Sequence, residues 1–425
     1  MIPAETAKIL SQKIIYHRAQ FELFNSTKKF IVIAAGRRSG KTFTSKRKLI
    51  KAAFTVPGRY YCAAPTYPQA RAIFWDDLKA YIIPLFRKGK PNETRGIIFL
   101  KNGSEIHIVG LDSAARFEGQ PWTGGIIDEF DDLKDDVWTA HVRPALDTIG
   151  LNTWCIMCGV PEGKRLLYDL SKKPAYDDNY AYYHWKSAEV LESHVIEAAK
   201  RDLSAIQFRQ EYEASFETAE GSIYPDYDSI KNGSKATINE SLPIQWMHDF
   251  NYTPLSSAII QDHDDGHHVV DEIVLHSAVA QNTAIEFKER FKGHKNKRVY
   301  IFGDYSGTSG ENHNQSSDYT TIEKILRKDG WNVSRHVRPN PLVKERQNST
   351  RALICNANGE RKLFVNVGKC KYVDNALSRT KIKKGASSSY QEEEDEFQHM
   401  STAIGYWSFT RFPVTNGVRL VQSSF

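Results

Sequence analysis

The 425-residue chain contains only five cysteines, at positions 62, 155, 158, 355 and 370. Their number is odd and their spacing irregular, which excludes a disulfide framework and points to reduced thiols. Cys155 and Cys158 form a C-x-x-C inside "NTWCIMCGV". A zinc or redox reading of that pair needs a second ligand pair or a strand–helix redox context. Neither is present, so the segment reads as a buried strand. No apolar stretch is long enough to span a bilayer, which excludes a membrane-crossing helix, and no membrane partner is expected. The start, "MIPAETAKILSQ", lacks the charged head and apolar core of a secretory leader. Internal repeats are missing, as are low-complexity tracts apart from the acid run "EEEDE" at 392–396. The formal net charge is only +6, which permits a nucleic-acid partner without requiring one.

Hydrophobic residues make up 40% of the chain, aromatics 12% and charged residues 25%, enough to fill the cores of two or three domains. Residues 1–30 read as helix. "KKFIVIAAGRRSGKTFTSKRKLIKAAF" then gives a strand, a Gly-rich turn and a helix, and "RYYCAAPTYPQARAIFWDDLKAYI" repeats strand, loop and helix. "GIIFLKNGSEIHIVG" reads as a hairpin turning at Asn102-Gly103. "TGGIIDEFDDL" and "TWCIMCGVPEG" are two further strands. Strands alternating with helices imply a largely parallel sheet. After residue 216 the composition turns polar and rich in Gly, Ser and Pro. The expected organisation is therefore a first domain over 1–216, a linker over 217–243 and a second domain over 244–425. The last of these reads as β-β-β-α-β-α-β-α.

"AAGRRSGKT" (34–42) lies between an apolar strand and a helix, and approximates the P-loop pattern G-x-x-x-x-G-K-[ST], with Ala35 in the first position. Backbone amides of such a loop face phosphates at a helix N-terminus, where the dipole favours anions. Ser39 and Gly40 shape the loop, Lys41 reaches the β- and γ-phosphates, and Thr42 can ligate Mg²⁺. The expected ligand is ATP with Mg²⁺. "GGIIDEF" supplies the acids: Asp128 to hold the metal through water and Glu129 to polarise the attacking water as general base. In the second half, Asp249 ends the first strand and Asp304 the fourth. Carboxylates at strand ends hold Mg²⁺ or Mn²⁺ through oxygen, and two such ions can activate water against a phosphodiester. Basic residues crowd 335–384, from Arg335 through Arg346, Arg351 and Lys369 to Lys384, in a pattern suited to phosphate contacts without sequence reading.

These pieces, in this order, resemble the large terminase subunit of tailed bacteriophages. "QFELFNSTKKFIVIAAGRRSGKT" is similar to the family's adenine-contacting Gln, here Gln20, leading into an Arg-bearing P-loop. "RFEGQPWTGGIIDEF" is similar to the stretch carrying a trans-acting Arg, here Arg116, ahead of the Asp-Glu pair. "CGVPEG" is similar to the coupling motif, and "FRQEYEASFE" to the end of the ATPase domain. The resemblance implies an α/β fold: an N-terminal P-loop ATPase of the ASCE type with a mostly parallel sheet, then a ribonuclease-H-like nuclease domain. One of Arg37 and Arg38 would sense the γ-phosphate. It also implies a motor that translocates double-stranded DNA as a homo-oligomeric ring at a portal protein, with a small terminase subunit, in the cytoplasm of the host.

Two positions depart from the family. Val160 stands where the coupling motif presents a hydroxyl or amide, so coupling there must use packing or a neighbour such as Cys158. In "HMSTAIGY" the family's third nuclease acid is replaced by Thr402. Asp395, two helical turns earlier, is the first expected substitute, with Glu272 and Asp318 as others. Glu392 to Glu394 read as solvated charges. Two other functions share part of this pattern. An ATP-dependent helicase or repair nuclease shares the P-loop but requires a second ATPase lobe that the sequence lacks. An ATPase and DNA-binding scaffold with an inactive nuclease is the reading Thr402 favours.

Overall fold

The computed structural model of the chain describes residues 17–82, 84–134, 136–147, 152–217, 221–250, 254–308, 317–383, 390–394, 397–415 and 418–419, without the side chains of residues 85, 115, 116, 415, 418 and 419. Two compact units are present: Met1–Ile196 with Arg209–Glu217, and Glu197–Phe208 with Thr218–Phe425.

The first unit is built on a seven-stranded sheet in the order β3-β4-β2-β5-β6-β1-β7. Its strands are β1 (Phe30–Ala35), β2 (Arg59–Ala64), β3 (Ile97–Phe99), β4 (Glu105–Gly110), β5 (Trp122–Ile127), β6 (Trp154–Gly159) and β7 (Tyr180–Trp185). All pairings are parallel except β3 with β4, which form the hairpin read from Asn102-Gly103. β1 explains the architecture locally. Ile31, Ile33 and Ala35 enter one core while Phe30, Val32 and Ala34 enter the core on the opposite face. A strand covered on both faces must be apolar throughout, as "FIVIAA" is. Burying each of its larger side chains contributes roughly 1.5–3 kcal/mol. Cys155 and Cys158 of β6 divide between the same two cores, so their thiols cannot converge on a metal.

Helix α1 (Arg18–Asn25) precedes β1, and α2 (Lys41–Thr55) follows it. Helix α3 (Tyr67–Tyr81) follows β2 and starts at a capping box. There the Thr66 hydroxyl accepts from the Gln69 amide while the Gln69 side chain accepts from the Thr66 amide. Helix α4 (Leu166–Ser171) follows β6. Helices α5 (Ser193–Asp202) and α6 (Ala205–Glu213) come after β7.

The second unit holds a six-stranded sheet in the order β12-β11-β8-β9-β10-β13. β8 (Ile244–Asp249), β9 (Leu255–His263) and β10 (Gly266–Leu275) form an antiparallel meander. β11 (Arg298–Gly303) pairs in parallel with β8, β12 (Asn332–Arg335) with β11, and β13 (Leu363–Val365) with β10. The helices are α7 (Ala280–Arg290), α8 (Asp318–Lys328), α9 (Val343–Ile354), α10 (Lys371–Arg379) and α11 (Gln398–Arg411). Met400, Ala403, Ile404 and Trp407 of α11 share a core with Leu353 and Ile354 of α9, at the spacing of one helical face. Trp407 also donates from its indole to the Gln245 side chain (2.8 Å), tying α11 to β8.

Part of the segment read as a linker packs into this unit. Ile223 and Tyr224 are buried in its core, and the Asn232 amide donates to the carbonyls of Ile354 (3.0 Å) and Leu363 (2.9 Å). Among the described residues, no helix is long and apolar enough to cross a membrane.

Candidate functional site

The turn between β1 and α2 is clamped from several sides. The Gly36 amide donates to Trp185 O (3.0 Å) and the Arg37 amide to Glu211 O (2.6 Å), while the Ser187 hydroxyl donates to Arg37 O (2.7 Å). A Cβ on Gly36 would stand 2.3 Å from Ser187 Oγ, so this position admits only glycine. The Ser39 carbonyl accepts from Gln20 Nε2 (2.8 Å) and from the Trp185 indole (3.0 Å). Gln20, expected at adenine, thus also braces the loop. Arg38 adopts a left-handed backbone (φ 56°) and is exposed; Gly40 follows at φ 83°, a conformation natural to glycine. The first intrahelical bond runs from the Thr44 amide to Gly40 O (2.9 Å), so the amides before it form the anion-binding end of α2. The Arg37 guanidinium lies 3.1 Å from the Glu211 carboxylate.

Asp128 follows β5, the neighbour of β6. It is 2% exposed and takes three donors: Thr42 Oγ1 on Oδ2 (2.6 Å), and the Glu129 amide (2.9 Å) and Cys158 thiol (3.3 Å) on Oδ1. Thr42 and Asp128, expected to hold one metal ion, are therefore already in register. Glu129 has a left-handed backbone (φ 50°). Burial pushes its carboxyl above the ordinary range and the neighbouring Asp128 adds to this, while Lys41 opposes both. A hydroxyl and a carboxylate in contact beneath a left-handed glycine and a helix end are the hard-oxygen set that suits Mg²⁺ on a nucleotide. The residues present fit that group.

Cys158 and Asp131 join this cluster. Cys158, near the end of β6, begins the segment similar to the coupling motif and touches Asp128, the acid expected to hold the metal. Asp131 accepts from the Glu162 amide (3.0 Å) and the Leu167 amide (3.0 Å), binding the segment after β5 to the turn after Val160 and to the start of α4. Burial lifts its carboxyl to about 6. Arg116 lies in the short helix Ala115–Glu118, but its side chain falls outside the described residues.

In the second unit the carboxylates converge through strand register. Phe302 pairs with Met247 and Gly303 with His248, so the next step places Asp304 beside Asp249 on adjacent parallel strands. Asp249 is buried. Burial raises its carboxyl, and Asp304 adds to this while His399 opposes it, with His399 Nδ1 lying 3.2 Å from Asp249 Oδ2. Asp304 is fixed by the Ser306 hydroxyl (2.7 Å), the Ser306 amide (2.9 Å) and the Asn340 amide group (2.7 Å). The pair fits a divalent cation.

Asp395 lies outside the described residues. Glu272 is committed elsewhere, accepting from the Tyr372 (2.9 Å) and Val373 (2.8 Å) amides at the start of α10. Asp318 opens α8. Glu392, read as a solvated charge, is buried: its side chain is 4% exposed and pairs with Arg346 (2.9 Å). The Arg346 guanidinium and the side-chain amides of Gln347 and Gln398 hold the carboxylate inside. Arg346 and Arg351, read as part of a phosphate-tracking face, are likewise buried. Arg335, Arg338, Lys362, Lys369, Lys371, Arg379, Lys381 and Lys383 are exposed. Among the described residues no group of three or more His, Cys, Asp or Glu is placed to hold a metal, so a cage with a third acid does not fit them.

Residues 32–229 match the model of the terminase large subunit, T4likevirus-type, N-terminal. Over this segment the chain is similar to the terminase large-subunit family. It is 26% identical over 210 residues to the large terminase subunit of Escherichia phage T5, a match covering 48% of this chain and 47% of that protein. The match thus spans about half of the relative's own length. The large terminase of a thermophilic bacteriophage superposes on 93% of this chain and 98% of its own with a TM-score of 0.64 at 16% identity. The complex of that same phage protein with ADP gives 0.62, at 16% identity and with 93% and 99% covered. The chain therefore has the α/β fold expected, a P-loop ATPase architecture with a mostly parallel sheet and a ribonuclease-H-like second half.

Arg346, Glu392, Asp131 and Trp185 lie at these candidate sites, and no sequence signal placed them there. Only Cys158 carried a signal, as the polar neighbour of a valine in the coupling segment.

Proposed function

We propose that this large subunit is a DNA-packaging motor. Its first unit would hydrolyse ATP to drive double-stranded DNA, and its second would cut DNA with a metal-dependent carboxylate pair. The observation that carries the motor reading is the contact of Thr42 with Asp128 beside a desolvated Glu129. The ADP complex of the thermophilic-phage relative supports the choice of nucleotide.

In this mechanism Lys41 and the amides opening α2 hold the β- and γ-phosphates, and Thr42 with Asp128 position Mg²⁺. When bound, the ion neutralises charge on those phosphates. Glu129 accepts the proton of the attacking water, a role its raised proton affinity suits. Arg37 or Arg38 would sense the γ-phosphate, and Arg116 from a neighbouring subunit would stabilise developing charge, which makes a homo-oligomeric ring the working form. Cys158 and Asp131 offer polar routes from the acids to the coupling segment that Val160 cannot supply. Double-stranded DNA, a small terminase subunit and a portal protein are the partners of this reading, in the host cytoplasm.

Lys41→Ala is expected to abolish ATP turnover; full residual activity would overturn the P-loop assignment. For the nuclease, plasmid nicking with Mg²⁺ or Mn²⁺ is expected in the wild type and absent in Asp249→Ala. Thr402, bound to Arg346 where the family has an acid, favours a second reading: a motor and DNA-binding scaffold without cutting activity. A plasmid left intact by both proteins would establish that reading.

A further inference from the structure

We infer that the carboxylate pair of the second unit is a single-cation site, in which the buried Arg346, seated on Thr402, takes the place of a second metal ion. The inference rests on the metal-dependent reading of this unit and narrows it from two ions to one.

Thr402 stands three residues after His399 on α11, and so on the same helical face. His399 reaches Asp249 (3.2 Å), which turns that face toward the carboxylates. At Thr402 this face offers a neutral hydroxyl, and that oxygen is already engaged, accepting from Arg346 Nη1 at 3.0 Å. Its neutrality and this bond remove it as a ligand for a hard dication.

Arg346 is built in rather than draped over the site. Its Nη2 lies 2.9 Å from Glu392 Oε2, and the same carboxylate accepts from Gln347 (2.7 Å) and Gln398 (2.9 Å). The arginine stem runs along α11 at Gly405, where an added Cβ would stand 3.4 Å from its Cβ, Cγ and Cδ. That helix position leaves the stem its room. Tyr406 lies with its ring centroid 5.9 Å from the guanidinium and interacts electrostatically with Asp249, Asp304 and Arg346 alike. The arginine charge therefore acts on the same small region as the two aspartates. A guanidinium stays protonated at any working pH, so its charge there is permanent.

Charge balance agrees. Glu392 anchors the Arg346 guanidinium, and the two carboxylates of Asp249 and Asp304 carry the charge of one dication. A second dication would approach the Arg346 guanidinium, and among the described residues no group of three such ligands exists to receive it.

The test uses the full chain without nucleotide, titrated with Mn²⁺ by calorimetry and read by electron paramagnetic resonance, with Asp249→Asn and, as a second variant, Asp304→Asn. The expected result is that each variant loses one bound Mn²⁺ per chain and that the wild type shows no exchange-coupled Mn²⁺ pair. Ions about 4 Å apart in a two-metal site would couple. Loss of two ions, or a coupled spectrum, would overturn the single-cation inference while leaving the metal-dependent reading intact. Loss of none would overturn both. The role of Arg346 is read from the double variant Thr402→Asp/Arg346→Met, with its fold checked by its melting profile. Two bound ions are expected there; a folded double variant that still binds one would show that Arg346 does not exclude the second.

Discussion

Thr42 and Asp128 stand 86 residues apart in sequence and are joined by a 2.6 Å hydrogen bond from hydroxyl to carboxylate. The bond brings a helix start and a strand end together. Thr42→Ala should weaken the apparent Mg²⁺ affinity in ATP turnover by about 10–100-fold. Thr42→Ser, which keeps the hydroxyl, should stay close to wild type. Steady-state rates across a Mg²⁺ titration measure both, and equal behaviour of the two variants would count against the pairing.

Glu129 should set the acid limb of ATPase activity. Only its deprotonated form can accept a proton from water, and burial beside Asp128 raises its proton affinity above the ordinary 4.5 of a glutamate. Turnover should therefore rise with pH through a value above 4.5, and Glu129→Gln should lower kcat by about 10²–10⁴-fold with nucleotide binding retained. A profile flat down to that pH would remove Glu129 from the base role.

Asp131 makes a stability prediction. Its carboxyl sits near 3.8 in an unfolded chain and about 6 in the fold, so the folded state holds the proton more tightly. The contribution is complete below the lower value and is lost as pH rises through the upper one, a change of roughly 3 kcal/mol. Asp131→Asn should flatten that slope between about pH 4 and 6. Denaturation midpoints of both proteins across this range measure it.

Gly303→Ala should disturb the second unit. Gly303 has φ 147°, and an added Cβ would stand 2.4 Å from His248 O in the neighbouring strand. The expected cost is about 1–3 kcal/mol, with Mn²⁺ binding at Asp249 and Asp304 weakened as the strands part. Chemical denaturation and metal titration read the two effects separately.

The legible features were those whose chemistry is local in sequence. A strand, a Gly-Lys-Thr and a helix start announce a phosphate loop by adjacency, and the Asn102-Gly103 hairpin and the strand ends carrying Asp249 and Asp304 were readable for the same reason. What stayed hidden depends on which side chain turns inward. Arg346 sits among basic residues and looks like one more surface charge until α9 packs on α11 and buries it. Glu392 begins an acid run, yet its side chain is buried against Arg346. Part of 217–243 has the composition of a linker, yet Asn232 finds two backbone carbonyls deep in the second unit. Side-chain direction in such irregular segments is fixed by distant partners, and no local pattern records it.

The step that brings Asp249 beside Asp304 belongs to neither residue alone, because it exists only when β11 lies next to β8 in one register. A growing chain makes β8 first and cannot pair it with β11 until β9, β10 and α7 have been made. Any chemistry at that pair is thus withheld from nascent, misregistered or half-folded copies. The sheet serves as a latch: a damaged subunit loses its carboxylate pair at the same moment it loses its fold.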